Sequence, residues 1–530
     1  MATLKCIVVL VLAISTLSVE SSRAAKDGYV RNQCVYTRFP ALCVQTLTGL
    51  GSGNQTVDVL FVLVNRTIFE SRVPDHGLIS SHFVSPAGAQ LTRMAVDDCN
   101  ELMEMSLKRL NQALDLLQKS PSKHKADVQT LLSAALTFQQ TCKDVIEDHV
   151  PSNSYIGELN KKMEYLSELG SNPLALVNRI AGNPTGKSPP GRRLLERQGF
   201  PGWVSARDRK LLQSSEIKAD VVVAKDGSGN FKTVSEAIEA AGGGRRFVIY
   251  VKSGTYNEKI NTNKDGITLI GDGKYSTIIT GGISVAKGSS LRGSATFTIT
   301  GDGFIARDIG FENTAGAEGH QAVALTVSSD NSVLFRCSIA GYQDTLYALA
   351  LRQFYRECDI YGTVDFIFGN AAAVFQSCNL VLRRPRSGGA FNAILANGRS
   401  DPGQNTGFSV QNCKITVGSD FSPVRDKFNS YLGRPWKPYS RAVVMQSNID
   451  GEISARGWVE WEGAGRSTYK TLYFAEYENM GPGAGTSGRV NWAGFQVIGT
   501  PEATKFTVAS FIGGNSWLPS TGVTFVAGLH

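Results

Sequence analysis

The chain has 530 residues, a formal net charge of +8 and 55 glycines. Its content of 42% hydrophobic residues is sufficient for buried cores and excludes a wholly disordered chain. The basic excess is not gathered into a Lys/Arg block, which argues against a nucleic-acid partner, and the length predicts about two to four domains.

The N-terminus has the pattern of a secretory signal peptide. Lys5 precedes an apolar run that begins at Cys6, and small and polar residues follow. The run is short for a membrane span, so we expect residues 1–25 to be removed on secretion, with an uncleaved signal anchor as the alternative. No other stretch approaches the length of a span, so we expect no stable membrane span afterwards. Sequons at Asn54 and Asn65 suit a secreted glycoprotein.

Residues from about 30 to 180 have a helical pattern. Apolar side chains recur at steps of three and four over residues 103–117 and again over 128–145. These are the stripes of amphipathic helices, and the short connection at 121–123 predicts an antiparallel hairpin. We therefore predict an all-α helical bundle over residues 26–182.

Eight cysteines lie outside the signal peptide, and none belongs to a Cys-x-x-Cys motif. This argues against zinc ribbons and thioredoxin-like redox sites. The predicted hairpin brings Cys99 near Cys142, so a disulfide between them is geometrically plausible. Cys34 and Cys43 are close enough in sequence to close a small loop.

Residues 183–213 are rich in proline, glycine and basic residues, which is typical of an exposed linker. Within it, two basic residues followed by two leucines occur twice, as Arg192, Arg193, Leu194 and Leu195 and as Arg209, Lys210, Leu211 and Leu212. The doubled motif favours proteolytic processing over the alternative of a merely solvated basic segment.

Residues 214–530 have a different pattern, in which short β-branched and aromatic runs alternate with Gly, Asn and Asp clusters. A five-residue motif recurs around four cysteines: Cys337, Cys358, Cys378 and Cys413. Asn448 marks a further copy of the motif. Steps of 21 and 20 residues, with longer steps of 35, predict a parallel β-helix with one coil per repeat and inserted loops. We expect the cysteines to form an inward ladder of buried thiols rather than disulfides, and the abundant glycines to serve the corners.

Serine-hydrolase chemistry finds little support in the sequence. No Gly-x-Ser-x-Gly motif occurs, and His320 and His530 are the only histidines after residue 213. A Ser-His-Asp triad would depend on His320 alone. No cluster of histidines and carboxylates indicates a catalytic metal.

Two aspartates are more informative. Asp344 and Asp365 are 21 residues apart, the same step as between Cys337 and Cys358, so we expect them in one register on adjacent coils. Neighbouring strands lie about 4.7–4.9 Å apart, and carboxyls at that spacing do not ionise independently. One then acts as acid while the other acts as nucleophile or base. A structural or Ca²⁺-binding pair is the alternative.

Gln321 and Gln343 lie close to these aspartates in the predicted coils and carry amide donors for a developing oxyanion.

The second half resembles the plant pectin methylesterases (pectinesterases) in several motifs: GTYNE at 254–258, QAVAL at 321–325, YQDTL at 342–346, DFIFG at 365–369, LGRPW at 432–436 and WLP at 517–519. Residues from about 30 to 180 resemble the pectin methylesterase inhibitor domain with its four cysteines. The resemblance implies an all-β right-handed parallel β-helix, preceded by an all-α four-helix-bundle inhibitor-like domain. It also implies hydrolysis of the methyl esters of homogalacturonan (pectin), with release of methanol.

Carried over to this sequence, the resemblance gives each site residue a role. Asp365 resembles the nucleophile that attacks the ester carbonyl, and Asp344 resembles the general acid that later activates water. Gln321 and Gln343 match the oxyanion and substrate contacts. Arg434 matches the residue that fixes the nucleophile and keeps it charged, and a guanidinium there lowers the pKa of a neighbouring carboxyl and repels a calcium ion.

The resemblance also gives candidates for the substrate cleft. Trp436 resembles a substrate-contacting aromatic residue, with Tyr347 and Trp458 as further candidates. Leu291 is a departure, because family members often carry a threonine pair there and leucine cannot form a hydrogen bond to substrate. We expect His320 to be a cleft-edge or structural residue. No cofactor and no metal are implied.

The pro-enzyme resemblance implies further expectations. The helical domain would inhibit the enzyme until a subtilisin-like processing protease cuts the linker, and separate inhibitor proteins would be further partners. The mature enzyme would be a monomer in the cell wall (apoplast) that modifies pectin. The alternatives are a pectin depolymerase of the lyase or polygalacturonase type, and a β-helix that only binds wall polymer.

Overall fold

The computed structural model describes residues 28–48, 55–72, 89–149, 154–180, 218–386 and 390–530. The predicted signal peptide, Asn54 and all the proposed processing residues of the linker lie outside these ranges. The chain divides into two compact units, residues 1–191 and residues 192–530. No helix within the described ranges is long and apolar enough to cross a membrane.

The described part of the first unit is helical, as predicted. Besides the helical residues 28–34, its helices are Pro40–Thr48, Thr56–Ser71, Ala89–Lys119, Lys125–His149 and Ser154–Val177. The Ala89–Lys119 and Lys125–His149 helices pack along each other as the predicted hairpin. Apolar side chains at helical spacing fill the interior, among them Leu110 and Phe138.

Two disulfides staple this unit. Cys34 is bonded to Cys43 and Cys99 to Cys142, with Cα–Cα distances of 5.6 Å and 4.3 Å. The second bond joins the two long helices of the hairpin, as its geometry suggested.

The Asn65 sequon lies in a helix rather than in a surface loop. Asn65 is exposed within Thr56–Ser71, whereas Thr67 is fully buried and its hydroxyl donates a hydrogen bond to the Leu63 carbonyl at 2.9 Å. Glycosylation at Asn65 remains a prediction.

The second unit is a parallel β-helix built from three sheets. The strands of sheet A are Val221–Val223, Phe247–Val251, Ile267–Gly271, Ile305–Arg307, Ser332–Phe335, Arg352–Arg356, Ala372–Gln376, Gly407–Gln411, Arg441–Met445, Tyr473–Tyr477 and Phe495–Val497. Those of sheet B are Gly254–Asn257, Thr277–Gly281, Gly310–Asn313, Ser338–Ala340, Asp359–Gly362, Asn379–Leu382, Lys414–Val417 and Asn448–Ile449. Those of sheet C are Ile260–Thr262, Phe297–Ile299, Leu325–Val327, Leu346–Ala348, Ile367–Gly369, Asn392–Asn397 and Ser430–Gly433.

The central coils contribute one strand to each sheet, in the order A, B, C. The pairings recorded between these strands are parallel, so each strand stacks on its counterpart one coil away. Inward side chains of all three sheets form one apolar core. The Val234–Glu239 helix adds Val234, Ala237 and Ile238 to that core near the first coil.

The cysteine ladder lies at the corner between sheets A and B. The four cysteines are buried free thiols, as expected: Cys337, Cys358, Cys378 and Cys413. The expectation that glycine serves the corners is wrong here, because the residue before each cysteine has a positive φ and none is a glycine: Arg336, Glu357, Ser377 and Asn412. The left-handed residue bends the chain so that the following thiol points inward.

The C-terminal segment covers the outer face of sheet A. Val508, Ile512 and Leu518 pack on apolar side chains of that sheet, such as Val333 and Phe354. Three glutamines stacked on successive coils bind the backbone of every second residue near the C-terminus. Their bonds are Gln376 Nε2 to Val526 O at 2.9 Å, Gln411 Nε2 to Gly528 O at 2.8 Å and Gln446 Nε2 to His530 O at 3.1 Å.

Candidate active site

Asp344 and Asp365 occupy equivalent turns on adjacent coils, between sheets B and C. Leu346 pairs with Ile367 across the coils, which places each aspartate two residues before a paired position. The Asp344 N–H donates to the Val364 carbonyl at 3.0 Å. The 21-residue step therefore gives the predicted register.

Both aspartates have left-handed backbone, with φ of 60° at Asp344 and 51° at Asp365. Such residues persist where the surrounding contacts fix them, and they are common at functional sites. Glycines three residues earlier make room for these turns. A Cβ at Gly362 would lie 2.1 Å from the Phe366 Cβ, and one at Gly341 would lie 2.8 Å from the Thr345 Oγ1.

Arg434 holds Asp365 with a bidentate ion pair. Its Nε donates to Asp365 Oδ1 at 2.8 Å and its Nη2 to Asp365 Oδ2 at 2.6 Å. The guanidinium lies 4.1 Å from the ring centroid of Trp461 and 5.3 Å from that of Phe391. Two aromatic rings and a carboxylate therefore fix the guanidinium plane.

The two carboxyls have different electrostatic surroundings. Burial raises the pKa of Asp344 well above its usual value, the negative charge of Asp365 raises it further, and Arg434 opposes the rise. Burial also raises the pKa of Asp365, whereas the hydrogen bonds and charge of Arg434 lower it. Arg434 thus acts in the expected direction on Asp365, although burial outweighs it. Asp344 is the carboxyl that is better suited to hold a proton.

Gln321 and Gln343 are neighbours beside this pair. They form an isolated parallel bridge, and the Ala322 N–H donates to the Gln343 carbonyl at 3.2 Å. Both side chains are half-buried, and Gln343 directly precedes Asp344. The structure therefore brings together Gln321, Gln343, Asp344, Asp365 and Arg434.

A row of aromatic rings extends along the outer face of sheet C. Tyr347 stacks on Phe368 with centroids 4.2 Å apart, Trp436 lies 6.1 Å from Phe368, and Trp461 lies 6.3 Å from Trp436. Trp436 is half-buried, so part of its ring is free to contact a sugar. A Cβ at Gly398 would lie 2.8 Å from Trp436 Cε3, so the indole needs glycine beneath it.

Two of the predicted substrate-contacting aromatics are wrong in this structure. Trp458 has no exposed surface, because its ring belongs to the core and lies 4.3 Å from that of Phe474. Its Nε1 donates to Glu476 Oε1 at 3.3 Å. Tyr347 lies on the outer face of sheet C but is only 1% exposed, because it stacks under Phe368.

Trp461, Phe391 and Gly398 were missed by the sequence reasoning. Trp461 lies three residues after Trp458, and a three-residue step on irregular backbone changes a side chain from inward to outward. Phe391 and Gly398 lie outside the motifs that resemble the family. Phe391 directly precedes the Asn392–Asn397 strand, which pairs with the Ser430–Gly433 strand that ends just before Arg434. An aromatic residue on the coil next to Arg434 would have been the signal for it.

Leu291 is half-buried and directly precedes the short 3-10 helix Arg292–Ser294. Its carbonyl accepts a hydrogen bond from the Ser294 hydroxyl at 2.7 Å, but its side chain has no polar atom to offer a ligand. His320 is exposed and has a φ of 55°.

The whole arrangement pairs a carboxylate fixed by a guanidinium with a neighbouring carboxyl that favours its protonated form. Two glutamines lie on the backbone next to the pair, and a partly exposed indole lies two residues after the arginine. Such a site can attack an electrophilic carbon with one carboxylate and protonate a leaving group with the other.

Two family models match the chain, one on each unit. The model described as Pectinesterase matches residues 220–515, and the one described as Plant invertase/pectin methylesterase inhibitor matches residues 28–176. An Arabidopsis thaliana protein named Probable pectinesterase/pectinesterase inhibitor 54 is 48% identical over 496 residues, which cover 91% of this chain and 90% of that protein. Pectinesterase 2 of Citrus sinensis is 48% identical over 440 residues, which cover 82% of each chain.

Among solved structures, the pectin methylesterase from carrot matches with a TM-score of 0.58 and 52% sequence identity. The match covers 60% of this chain and 100% of the carrot chain.

Proposed function

This chain belongs to the pectinesterase family, and from that membership we propose that it hydrolyses the methyl esters of homogalacturonan through a covalent intermediate on Asp365. The chain is a pectinesterase, a carboxylic ester hydrolase, with an inhibitor-like domain on the same polypeptide. The observation that carries the mechanism is a buried pair of aspartates of which Asp365 forms the bidentate ion pair with Arg434. The environment of Asp365 thus suits a nucleophile, and that of Asp344 suits a general acid.

In the first step, a carboxylate oxygen of Asp365 attacks the carbonyl carbon of the methyl ester, and the carbonyl oxygen becomes an oxyanion. The side-chain amides of Gln321 and Gln343 donate hydrogen bonds to that oxyanion. Protonated Asp344 then gives its proton to the methoxy oxygen as the carbon–oxygen bond breaks. Methanol leaves, and an anhydride joins Asp365 to the sugar.

In the second step, Asp344 is a carboxylate and removes a proton from water. The resulting hydroxide attacks the galacturonyl carbon, and the bond to Asp365 breaks. Asp365 returns as a carboxylate paired with Arg434, and Asp344 is again protonated. The new galacturonic acid loses its proton to solvent, so each turnover converts one ester and one water into methanol and one carboxylate.

Trp436 and Arg434 are the proposed substrate contacts. A partly exposed indole suits the apolar face of a sugar ring. Arg434 lies at the reacting carboxylate and carries a positive charge that suits a uronate group, so it would serve both nucleophile and substrate.

The product distribution tests the activity. Residues 214–530 contain the whole apolar core of the second unit, and the carrot chain is matched over its full length by 60% of this chain. Incubated with methyl-esterified polygalacturonan, this fragment releases methanol without shortening the chains. Asp365→Ala abolishes the release, and Asp426→Ala, whose side chain is 97% exposed, retains it as the matched control. Chain cleavage or unsaturated products without methanol would indicate a depolymerase instead.

The first unit is proposed to be an autoinhibitory pro-domain. Its match to the inhibitor family and the doubled basic-Leu-Leu motif of the linker support this. A subtilisin-like protease would cut after Leu195 or Leu212, and the monomeric enzyme would act in the cell wall, where separate inhibitor proteins could bind it. Equal turnover by uncut and cut protein would contradict autoinhibition, and N-terminal sequencing of the secreted product would identify the cut.

A further inference from the structure

Arg383 contacts both turns that carry the catalytic aspartates. It follows the Asn379–Leu382 strand of sheet B, one coil beyond the strand that leads to Asp365. Its backbone N–H donates to the Gly362 carbonyl at 2.9 Å, three residues before Asp365. Its Nη1 donates to the Gly341 carbonyl at 3.1 Å, three residues before Asp344.

The Arg383 side chain also holds Tyr342, which lies between that carbonyl and the catalytic residues. Nη2 donates to the Tyr342 hydroxyl at 2.7 Å, and the guanidinium carbon lies 3.9 Å from the tyrosine ring centroid. Arg383 Nε lies 3.3 Å from Asp420 Oδ2. The guanidinium therefore contacts the Gly341 carbonyl, the Tyr342 hydroxyl and the Tyr342 ring, while Asp420 binds it from outside this turn.

Arg383 approaches this turn from the side of sheet B, away from the carboxylates. It lines a cavity of about 330 Å³ together with Lys274, Tyr275, Phe311, Tyr361 and Asp420. None of Asp344, Asp365, Arg434 or Trp436 lines that cavity. Arg383 thus has contacts that can orient the catalytic turn without touching the ester.

We propose that Arg383 is a positioning residue that fixes Asp344 relative to Asp365, an inference that rests on the proposed double-displacement mechanism. The turn needs such support because Asp344 has a left-handed backbone, which is retained only where surrounding contacts over-determine it. A lysine at 383 keeps the charge but cannot bind the carbonyl and the hydroxyl with one planar fork. Displacing a catalytic group by 1 Å costs roughly a hundredfold in rate.

Kinetics on the secreted protein, with Arg383→Ala, Arg383→Lys and Tyr342→Phe, test the proposal. Both Arg383 variants lower kcat by roughly ten- to a hundredfold and leave KM within about twofold of wild type. The kcat of Tyr342→Phe, which keeps the stacked ring, falls less. Arg384→Ala, the exposed adjacent arginine, matches wild type. Melting temperatures show that each variant is folded at the assay temperature.

The pH profile of kcat separates positioning from a purely structural role. The charged groups that act on Asp344 are Asp365 and Arg434. When the turn relaxes and admits water, the pKa of Asp344 falls, so the basic limb of the Arg383→Ala profile moves to lower pH. An unchanged kcat, or a loss explained by unfolding with an unmoved profile, would overturn the proposal. Asp365→Asn is assayed in parallel, because its full activity would overturn the mechanism itself rather than the role of Arg383.

Discussion

At the scale of single residues, Asp344 and Asp365 differ through their neighbours and not through their chemistry. Asp365 has two hydrogen bonds from Arg434, whereas Asp344 has burial and the charge of Asp365 acting against its ionisation. A carboxyl with a raised pKa is the usual source of a general acid near neutral pH. The cost is stability, because a buried carboxyl resists ionisation while the same group in the unfolded chain ionises freely.

The first prediction is that Asp344→Asn makes the protein more stable and inactive. Below the ordinary aspartate pKa of about 3.9, both folded and unfolded chains are protonated and the residue has no effect. Above it, the unfolded chain loses the proton first, so wild-type stability falls as pH rises through the raised pKa of Asp344. The variant has no such loss. Its melting temperature at pH 7 exceeds that of wild type by a few degrees, and the difference shrinks towards pH 4. A variant that melts below wild type at pH 7 would contradict the assignment.

The second prediction concerns the seat of Trp436. In Gly398→Ala the new methyl lies 2.8 Å from Trp436 Cε3 and 3.0 Å from Cζ3, so the indole must move. An aromatic contact is worth about 1 kcal/mol, so we expect KM to rise roughly fivefold with kcat within about twofold. Steady-state kinetics on methyl-esterified polygalacturonan measure both. If Trp436→Ala raises KM while Gly398→Ala does not, the indole does not depend on this seat.

At the scale of elements, the catalytic turn depends on close packing between successive coils. The third prediction is that Gly362→Ala destabilises the protein by about 2–3 kcal/mol and removes activity, because its Cβ would overlap the Cβ of Phe366. A Cβ at Gly341 would lie 2.8 Å from the Thr345 Oγ1, a smaller overlap than the one at Gly362, so Gly341→Ala loses less stability.

Gly499→Ala is the matched control for both substitutions. Its φ is −94° and its nearest neighbour is Pro501 Cδ at 3.8 Å, so it is neutral. Chemical denaturation of the three variants measures the free energies of unfolding. Equal stability of Gly362→Ala and Gly499→Ala would show that the turn tolerates a side chain.

The coil register could be predicted from sequence because a β-helix repeats at a nearly fixed step. The cysteines and the aspartates share the 21-residue step, and both sets occupy equivalent positions on adjacent coils. The corners could not be predicted in the same way. Arg336 and Glu357 adopt a left-handed backbone because the sheets on either side fix the bend, although glycine would be the intrinsic choice.

At the scale of the whole molecule, the sequence predicted the helical unit and the β-helix and offered candidates for the site, but it did not indicate which aromatic rings are exposed there. Trp458 and Trp461 are chemically identical and three residues apart, yet the first is in the core and the second covers Arg434. The path of the backbone determines which of the two rings is buried. Trp458 forms an isolated parallel β-bridge with Gly433 on the neighbouring coil, which fixes its position there. The fold of each unit could be predicted because the helical periodicity of the first and the coil repeat of the second persist over many residues. Irregular loops do not disturb patterns of that length.

The most direct test of Asp365 as the nucleophile is a burst measurement with an activated ester, the p-nitrophenyl ester of a galacturonate oligosaccharide. Nitrophenolate leaves without a proton, so the substrate can still acylate Asp365 in the Asp344→Asn variant. That variant has no carboxylate at 344 to activate water for the second step. If Asp365 is the nucleophile, Asp344→Asn gives a burst of one nitrophenolate per enzyme followed by a stall, and the Asp344→Asn/Asp365→Asn double variant gives no burst. Absence of the burst in Asp344→Asn, or its persistence in the double variant, would contradict Asp365 as the nucleophile.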